Sequence, residues 1–237
     1  MNESLLSAIK SYQPPQRAIS LVEKSPSLNI AGPTGAGKGT LSVYLAQSGN
    51  YAPVVSDTTR LPRPHNNGLE VNGVDYWFIT EAEAGQKIAQ GAYLEVKAVH
   101  EKTMYGTSLD SYERVVNSGK VPLLEIDVQG MEDLMGRYPH FEAIILLPPD
   151  FDTWQYRLDG RGDMDLDEKI RRLRSALDEI RKPLQNPRFH PVINTEVIDT
   201  AAVIANAEYE SDEYRTEALR VAEELLRRIE LFLSQHS

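Results

Sequence analysis

Gly32-Pro33-Thr34-Gly35-Ala36-Gly37-Lys38-Gly39-Thr40 is the stretch of this chain whose residue types and spacing most plainly imply chemistry. Its glycines let the backbone curl until successive N–H groups point inward and form a nest for an anion. A helix opening at its end adds the positive end of a dipole to the same spot. Lys38 supplies a mobile cation for the β- and γ-phosphates of a nucleoside triphosphate, and is the first candidate catalytic group. Each of residues 32–40 is thus a candidate for holding those phosphates. A hydroxyl usually follows such a lysine directly. Here Gly39 takes that place and Thr40 comes one position later, so contact between Thr40 and magnesium is open between a direct bond and a water bridge.

A phosphate loop works between a strand and a helix, and the flanking residues predict both. Residues 27–31 are apolar and run straight into the glycines; residues 41–46 have helical spacing. Residues 121–126, apolar apart from Glu125, and 143–147 read as continuous rather than alternating, as parallel strands covered on both faces should be. Leu166, Ile170, Leu173, Leu177 and Ile180 mark one amphipathic helix, and Leu219, Ala222, Leu225, Leu226, Ile229 and Leu233 another. Residues 3–10 read as a short helix, and Pro14-Pro15 interrupts the chain beyond it. Residues 53–80 are rich in Pro, Gly and Asn, with β-like pieces at 54–55 and 76–79. Helices at 81–90 and 109–117 flank an extended piece at 93–99, and 191–194 is a last strand. Strands alternating with helices predict an α/β fold with a mostly parallel sheet.

Further blocks go beyond phosphate binding. They are Val55-Ser56-Asp57-Thr58-Thr59-Arg60-Leu61-Pro62-Arg63-Pro64, Glu70-Val71-Asn72-Gly73-Val74-Asp75-Tyr76-Trp77-Phe78, Tyr93-Leu94-Glu95, Tyr105-Gly106-Thr107-Ser108 and Leu124-Glu125-Ile126-Asp127-Val128-Gln129-Gly130. In order and spacing they resemble the guanylate kinases, over about residues 28 to 205, and Gly-Lys-Gly-Thr resembles nucleoside monophosphate kinases at large. The resemblance implies a P-loop NTPase fold, a parallel sheet flanked by helices, with an inserted GMP-binding subdomain and a mobile lid. It implies a core over 28–60, 119–151 and 177–237, the GMP subdomain at 61–118, the lid at 152–176 and an N-terminal extension at 1–27. ATP would phosphorylate GMP, and dGMP, with Mg2+ as cofactor.

The chemistry of each block agrees. Arg60 and Arg63, three apart with a proline between, can converge two planar forks on the acceptor phosphate. Tyr76 and Tyr105 can donate hydroxyl hydrogen bonds to it. Glu95 is the candidate reader of guanine N1–H and N2–H2, with Asp127 assisting; adenine would present an unprotonated N1 to the carboxylate. Ser56 and Thr107 offer hydroxyls to the opposite edge. Arg157 and Arg161, in Arg157-Leu158-Asp159-Gly160-Arg161-Gly162, resemble lid arginines, joined by Arg172 on the next helix. Gly160 and Gly162 make that segment pliable, consistent with closure. Arg171 and Arg174 read as a solvated face. Asn194 matches the family position that contacts adenine, and Glu125 and Asp127 would hold magnesium-bound waters.

The net charge of −10 disfavours nucleic acid as a partner, and no apolar run is long enough to span a bilayer. Met1-Asn2-Glu3-Ser4 does not begin a signal peptide, and the absence of cysteine fits a reducing compartment, so a cytoplasmic location is expected. Two departures from the family pattern stand out. The turn at 64–69 is longer than usual, and Glu101-Lys102-Thr103-Met104 replaces a Gly-Asn-x-Tyr stretch. Residues 1–27 and the last helix exceed a minimal enzyme, either packing on the core or forming a homodimer contact. Two alternatives are a non-catalytic guanylate-kinase-like interaction module and a P-loop kinase of another small phosphorylated acceptor. The retained Lys38, lid arginines and guanine-reading set argue against them.

Overall fold

Every residue of the run 143–147 is buried, as a strand covered on both faces requires. The protein is described by a computed structural model over residues 1–65, 68–160 and 165–236. The chain opens with helices α1 (Glu3–Ser11) and α2 (Gln16–Lys24), strand β1 (Leu28–Ala31) and helix α3 (Lys38–Gln47). Strands β2 (Tyr51–Pro53), β3 (Asp57–Thr58), β4 (Pro64–His65), β5 (Gly68–Leu69) and β6 (Trp77–Phe78) come next. After them stand α4 (Glu81–Ala89), β7 (Tyr93–Val99), β8 (Thr103–Ser108), α5 (Leu109–Asn117), β9 (Val121–Glu125) and α6 (Val128–Arg137). The last elements are β10 (Ala143–Leu147), α7 (Phe151–Asp159), α8 (Leu166–Leu184), β11 (Phe189–Ile193), α9 (Val197–Ala205) and α10 (Asp212–Gln235).

The chain forms two units. The first holds residues 1–27, 50–123 and 133–140. In it β6, β3, β8 and β7 lie side by side in that order. β3 is parallel to β6 and antiparallel to β8, and β7 and β8 form an antiparallel hairpin. The register of that hairpin shifts between Tyr93, opposite Ser108, and Glu95, opposite Thr107. Leu94 is therefore the extra residue of a β-bulge, a device that re-aims side chains. β2 pairs in parallel with the start of β9. α4 begins with a complete capping box between Thr80 and Glu83. Leu5 and Ile9 of α1 join Ala84, Ile88, Tyr93 and Met104 in one buried cluster.

The second unit holds residues 28–49, 124–132 and 141–237. β10 lies between β1 and β11, parallel to both, with Ile30 opposite Ile144 and Leu147 opposite Ile193. α10 turns Ala218, Val221, Ala222, Leu225 and Ile229 inward and packs on α8 and β11. α8 forms where the spacing from Leu166 predicts it, with Leu173 and Ile180 of the expected stripe buried alongside Ala176, while Leu166 itself is 49% exposed.

Some elements differ from the expectations. Pro14-Pro15 starts a helix rather than interrupting the chain: Pro15 is the N-cap of α2, its φ of −70° already suited to a helix entry. The strand expected at 54–55 lies at β2 instead, although Val54 still donates to the Leu123 carbonyl at 2.9 Å. α9 has no counterpart among the expected elements; it is a short apolar helix with no alternating pattern to announce it.

Candidate functional site

In the second unit, β1 delivers the chain into the glycine-rich stretch. Gly32 has φ +142°, and a side chain there would run into the main-chain carbonyl of Leu146 on β10. Gly37, φ +94°, is the N-cap of α3, and a side chain there would strike the Asn194 amide. Both positions need glycine for conformation and for room. Other elements pin the loop. Trp154 of α7, 1% exposed, donates from Nε1 to the Thr34 carbonyl at 2.8 Å. Asn194 donates from Nδ2 to the Ala36 carbonyl at 2.6 Å, while Thr200 donates to its Oδ1 at 3.0 Å. Lys38 lies across the mouth of the loop, with Nζ donating to Gly32 O at 2.6 Å and Pro33 O at 3.2 Å.

A pocket of about 650 Å³ opens beside the loop, with Gly35, Gly37, Thr40, Arg157, Asn194 and Val197 in its lining. Arg157, in the last turn of α7, is fixed there by donating to the carbonyls of Asn194 at 3.1 Å and Thr195 at 2.9 Å. Arg172 donates along its own helix to Glu168 at 2.7 Å, and Arg171 pairs with the same carboxylate. Arg161 and Gly162 lie outside the described residues. Ser42 of α3 donates to Glu125 Oε2 at 3.0 Å, which ties the exposed Glu125 carboxylate to the helix after the loop. Asp127 Oδ1 accepts from Gly130 N at 2.8 Å, in the manner of a helix N-cap.

The first unit gathers side chains instead. Arg60 is clamped by Glu70: Nη1 pairs with Oε2, and Nη2 donates to Oε1 at 2.8 Å. Its Nε donates to Tyr105 Oη at 2.9 Å, and its guanidinium lies 4.8 Å from the centre of the Tyr76 ring. Tyr76 meets Tyr105 edge-on at 5.7 Å. The Arg63 main-chain N–H also donates to Glu70, at 2.8 Å, while the rest of Arg63 is exposed. Hydrogen bonds from Arg60 first, then from Arg63, push the Glu70 carboxyl down to about 2 despite its partial burial. The same pairing raises the Arg60 guanidinium above its ordinary value. Burial raises the Tyr76 hydroxyl, so it stays protonated and able to donate.

Glu95 is 8% exposed. Its Oε1 accepts from the Thr107 N–H at 3.0 Å and from the Thr107 hydroxyl at 2.8 Å. The Thr107 hydroxyl is thus directed at Glu95, orienting the carboxylate. Ser56 is half-buried, and its carbonyl accepts from Trp77 N at 2.9 Å.

The first unit therefore brings together Arg60, Tyr76 and Tyr105, and separately pairs Glu95 with Thr107. The second brings the loop together with Thr40, Arg157 and Asn194. Sequence reasoning missed the partners: Glu70 under Arg60, Trp154 and Thr200 behind the loop, and Ser42 beside Glu125. It also missed Asp57, 1% exposed, which pairs with Lys87 and accepts from Tyr93 Oη at 2.7 Å. Glu70 and Asp57 do stand inside the motif blocks, close in sequence to candidate residues, and that is their only sequence signal.

The family model described as guanylate kinase matches residues 25–208. A guanylate kinase of Leifsonia xyli is 41% identical over 180 residues, covering 75% of this chain and 68% of its own. One of Lactobacillus acidophilus is 34% identical over 205 residues, covering 82% of this chain and 97% of its own. The crystal structure of guanylate kinase from Anaplasma phagocytophilum superposes with a TM-score of 0.56 at 25% identity, covering 79% of this chain and 88% of that one.

Proposed function

The chain belongs to the guanylate kinase family and phosphorylates GMP with ATP; we propose that it does so with the two residue sets described above. Residues 32–40 hold the ATP phosphates on main-chain N–H groups and the α3 N-terminus. Lys38 exchanges its loop carbonyls for the β- and γ-phosphates and tracks the migrating charge. Arg157, held at the pocket beside the loop, adds positive charge on the same side, and the lid arginines Arg161 and Arg172 join it on closure. Asn194 shapes the loop through Ala36 and lines the side of the pocket that takes the adenine.

On the acceptor side, Arg60, Arg63, Tyr76 and Tyr105 bind the GMP phosphate. Glu70 aims the Arg60 guanidinium, and the aromatic rings keep it partly out of water. Glu95 accepts N1–H and N2–H2 of guanine, Thr107 fixes its angle, and Ser56 completes the base site. The observation that carries this reading is the buried Glu95 carboxylate, oriented by Thr107 before any base arrives. A base without a proton at N1 leaves that carboxylate facing a lone pair, a mismatch worth orders of magnitude.

The residues fit magnesium. Thr40 and Glu125 are exposed oxygen donors, and a side chain built at Gly39 would come within 4.0 Å of Glu125 Oε2, so the carboxylate stands beside the loop. Among the described residues no three His, Cys, Asp or Glu side chains form a metal cluster. That suits an ion held mostly by phosphates and water. Thr40, Glu125 and Asp127 would hold it, and bound Mg2+ would neutralise charge on the β- and γ-phosphates.

Among the described residues no helix is long and apolar enough to cross a membrane. The partners in this reading are GMP and ATP, in the cytoplasm, without nucleic acid. The test is ADP release, coupled to a spectroscopic readout, with ATP and each nucleoside monophosphate in turn. Turnover is expected with GMP and dGMP, and little with AMP, CMP or UMP. A folded protein that gives no turnover with GMP would overturn the reading.

A further inference from the structure

Residues 1–24 lie outside the family match, yet α1 reaches the strand that carries Glu95. Tyr12, directly after α1 and 6% exposed, donates its hydroxyl hydrogen to the Tyr93 carbonyl at 2.7 Å. The same hydroxyl oxygen accepts from the Tyr93 N–H at 3.0 Å. One side-chain oxygen thus satisfies both main-chain groups of the residue at which the β7 register shifts. Leu94, the extra residue of the bulge, is treated likewise: the buried Tyr138 donates from its hydroxyl to the Leu94 carbonyl at 3.0 Å. Tyr12 is itself held in place. Arg137 donates to its carbonyl at 3.0 Å, and its ring meets Tyr93 edge-on at 6.4 Å. Burial raises the hydroxyls of Tyr12 and Tyr138, so both remain protonated donors.

The bulge matters because neighbouring side chains on a strand point to opposite faces. One residue more or fewer before Glu95 would turn its carboxylate to the other face of the sheet. We propose that Tyr12 and Tyr138 are positioning residues for GMP recognition: their hydroxyls hold open the bulge at Tyr93-Leu94 and so place Glu95 against Thr107. The first 24 residues are then a working part of the acceptor site without touching the nucleotide. This rests on Glu95 being the guanine reader.

Tyr12→Phe keeps the ring in the core and removes only the hydroxyl, leaving two buried main-chain groups unsatisfied unless the bulge relaxes. Steady-state kinetics of the full chain should show KM for GMP rising roughly tenfold, with kcat and KM for ATP within about twofold. In a Glu95→Gln background, where KM for GMP is already raised, adding Tyr12→Phe should change it little, because both act through one carboxylate. Should Tyr12→Phe fail to fold, Tyr138→Phe reads the same signature. An unchanged KM for GMP with a lower kcat, or an additive effect on top of Glu95→Gln, overturns the proposal while the guanine reading stands. A Glu95→Gln enzyme with normal KM for GMP removes the guanine reading and this proposal together.

Discussion

In the second unit the groups proposed to face a phosphate are mostly main-chain N–H groups, and the side chains around them, Trp154, Asn194 and Thr200, hold that backbone in shape. In the first unit the groups proposed to face the ligand are side chains, and two of them are held by other side chains: Arg60 by Glu70 and Tyr105, Glu95 by Thr107. A nest of amides recognises charge and geometry that any nucleoside triphosphate shares. A paired carboxylate and a clamped guanidinium recognise one arrangement of donors and acceptors. The general half of the reaction is thus written in the backbone and the selective half in pairs of side chains. Damage should obey the same division.

The largest effect expected is from Lys38→Ala, which removes a mobile cation from the backbone-built site. kcat should fall roughly 10³-fold with KM for GMP nearly unchanged. A comparable rise in KM for GMP would show that the two halves do not act separately. Next comes Gly32→Ala, whose new methyl group meets the Leu146 carbonyl at a φ that side chains avoid. It should cost about 3 kcal/mol of stability, read by denaturant unfolding, and weaken ATP binding in calorimetry. Retention of both would mean that the loop tolerates a shift the geometry forbids.

The smallest effect is on the side-chain-built half. Glu70→Gln should raise KM for GMP roughly tenfold and leave KM for ATP alone, because Arg60 loses its charged partner. It should also change the acid limb of stability. Arg60 holds Glu70 at about 2, against an ordinary 4.5, so the unfolded chain takes up the proton first. The stabilisation is therefore complete above about 4.5 and is lost as the pH falls from there toward 2. Thermal melts across that window should be flatter for Glu70→Gln than for the parent.

The same division governs what the sequence makes legible. The loop is local: Gly32, Gly37 and Lys38 announce themselves because the residues that shape the nest are neighbours in the chain. The parallel strand 143–147 is equally legible from its unbroken apolar run. Pairings are not. Asn194 meets Ala36 across 158 residues, and Tyr12 meets Tyr93 across 81. Neither pair leaves a periodic trace. Thr107 is expected from the sequence to offer its hydroxyl to guanine, and only the register of β7 against β8 reveals that it is directed at Glu95. Resemblance carries the ligand-facing residues; it says little about what stands behind them.

Tyr12 also bears on where this protein can be cut. A chain trimmed to residues 25–208 would retain every residue proposed to meet ATP or GMP. It would nonetheless lose the hydroxyl that closes the hydrogen bonds of Tyr93, and the apolar stripe of α10 that covers α8 and β11. The bounds of the family match and the bounds of the packed chain are therefore different lines on this sequence, with Tyr12 and α10 outside the first and inside the second.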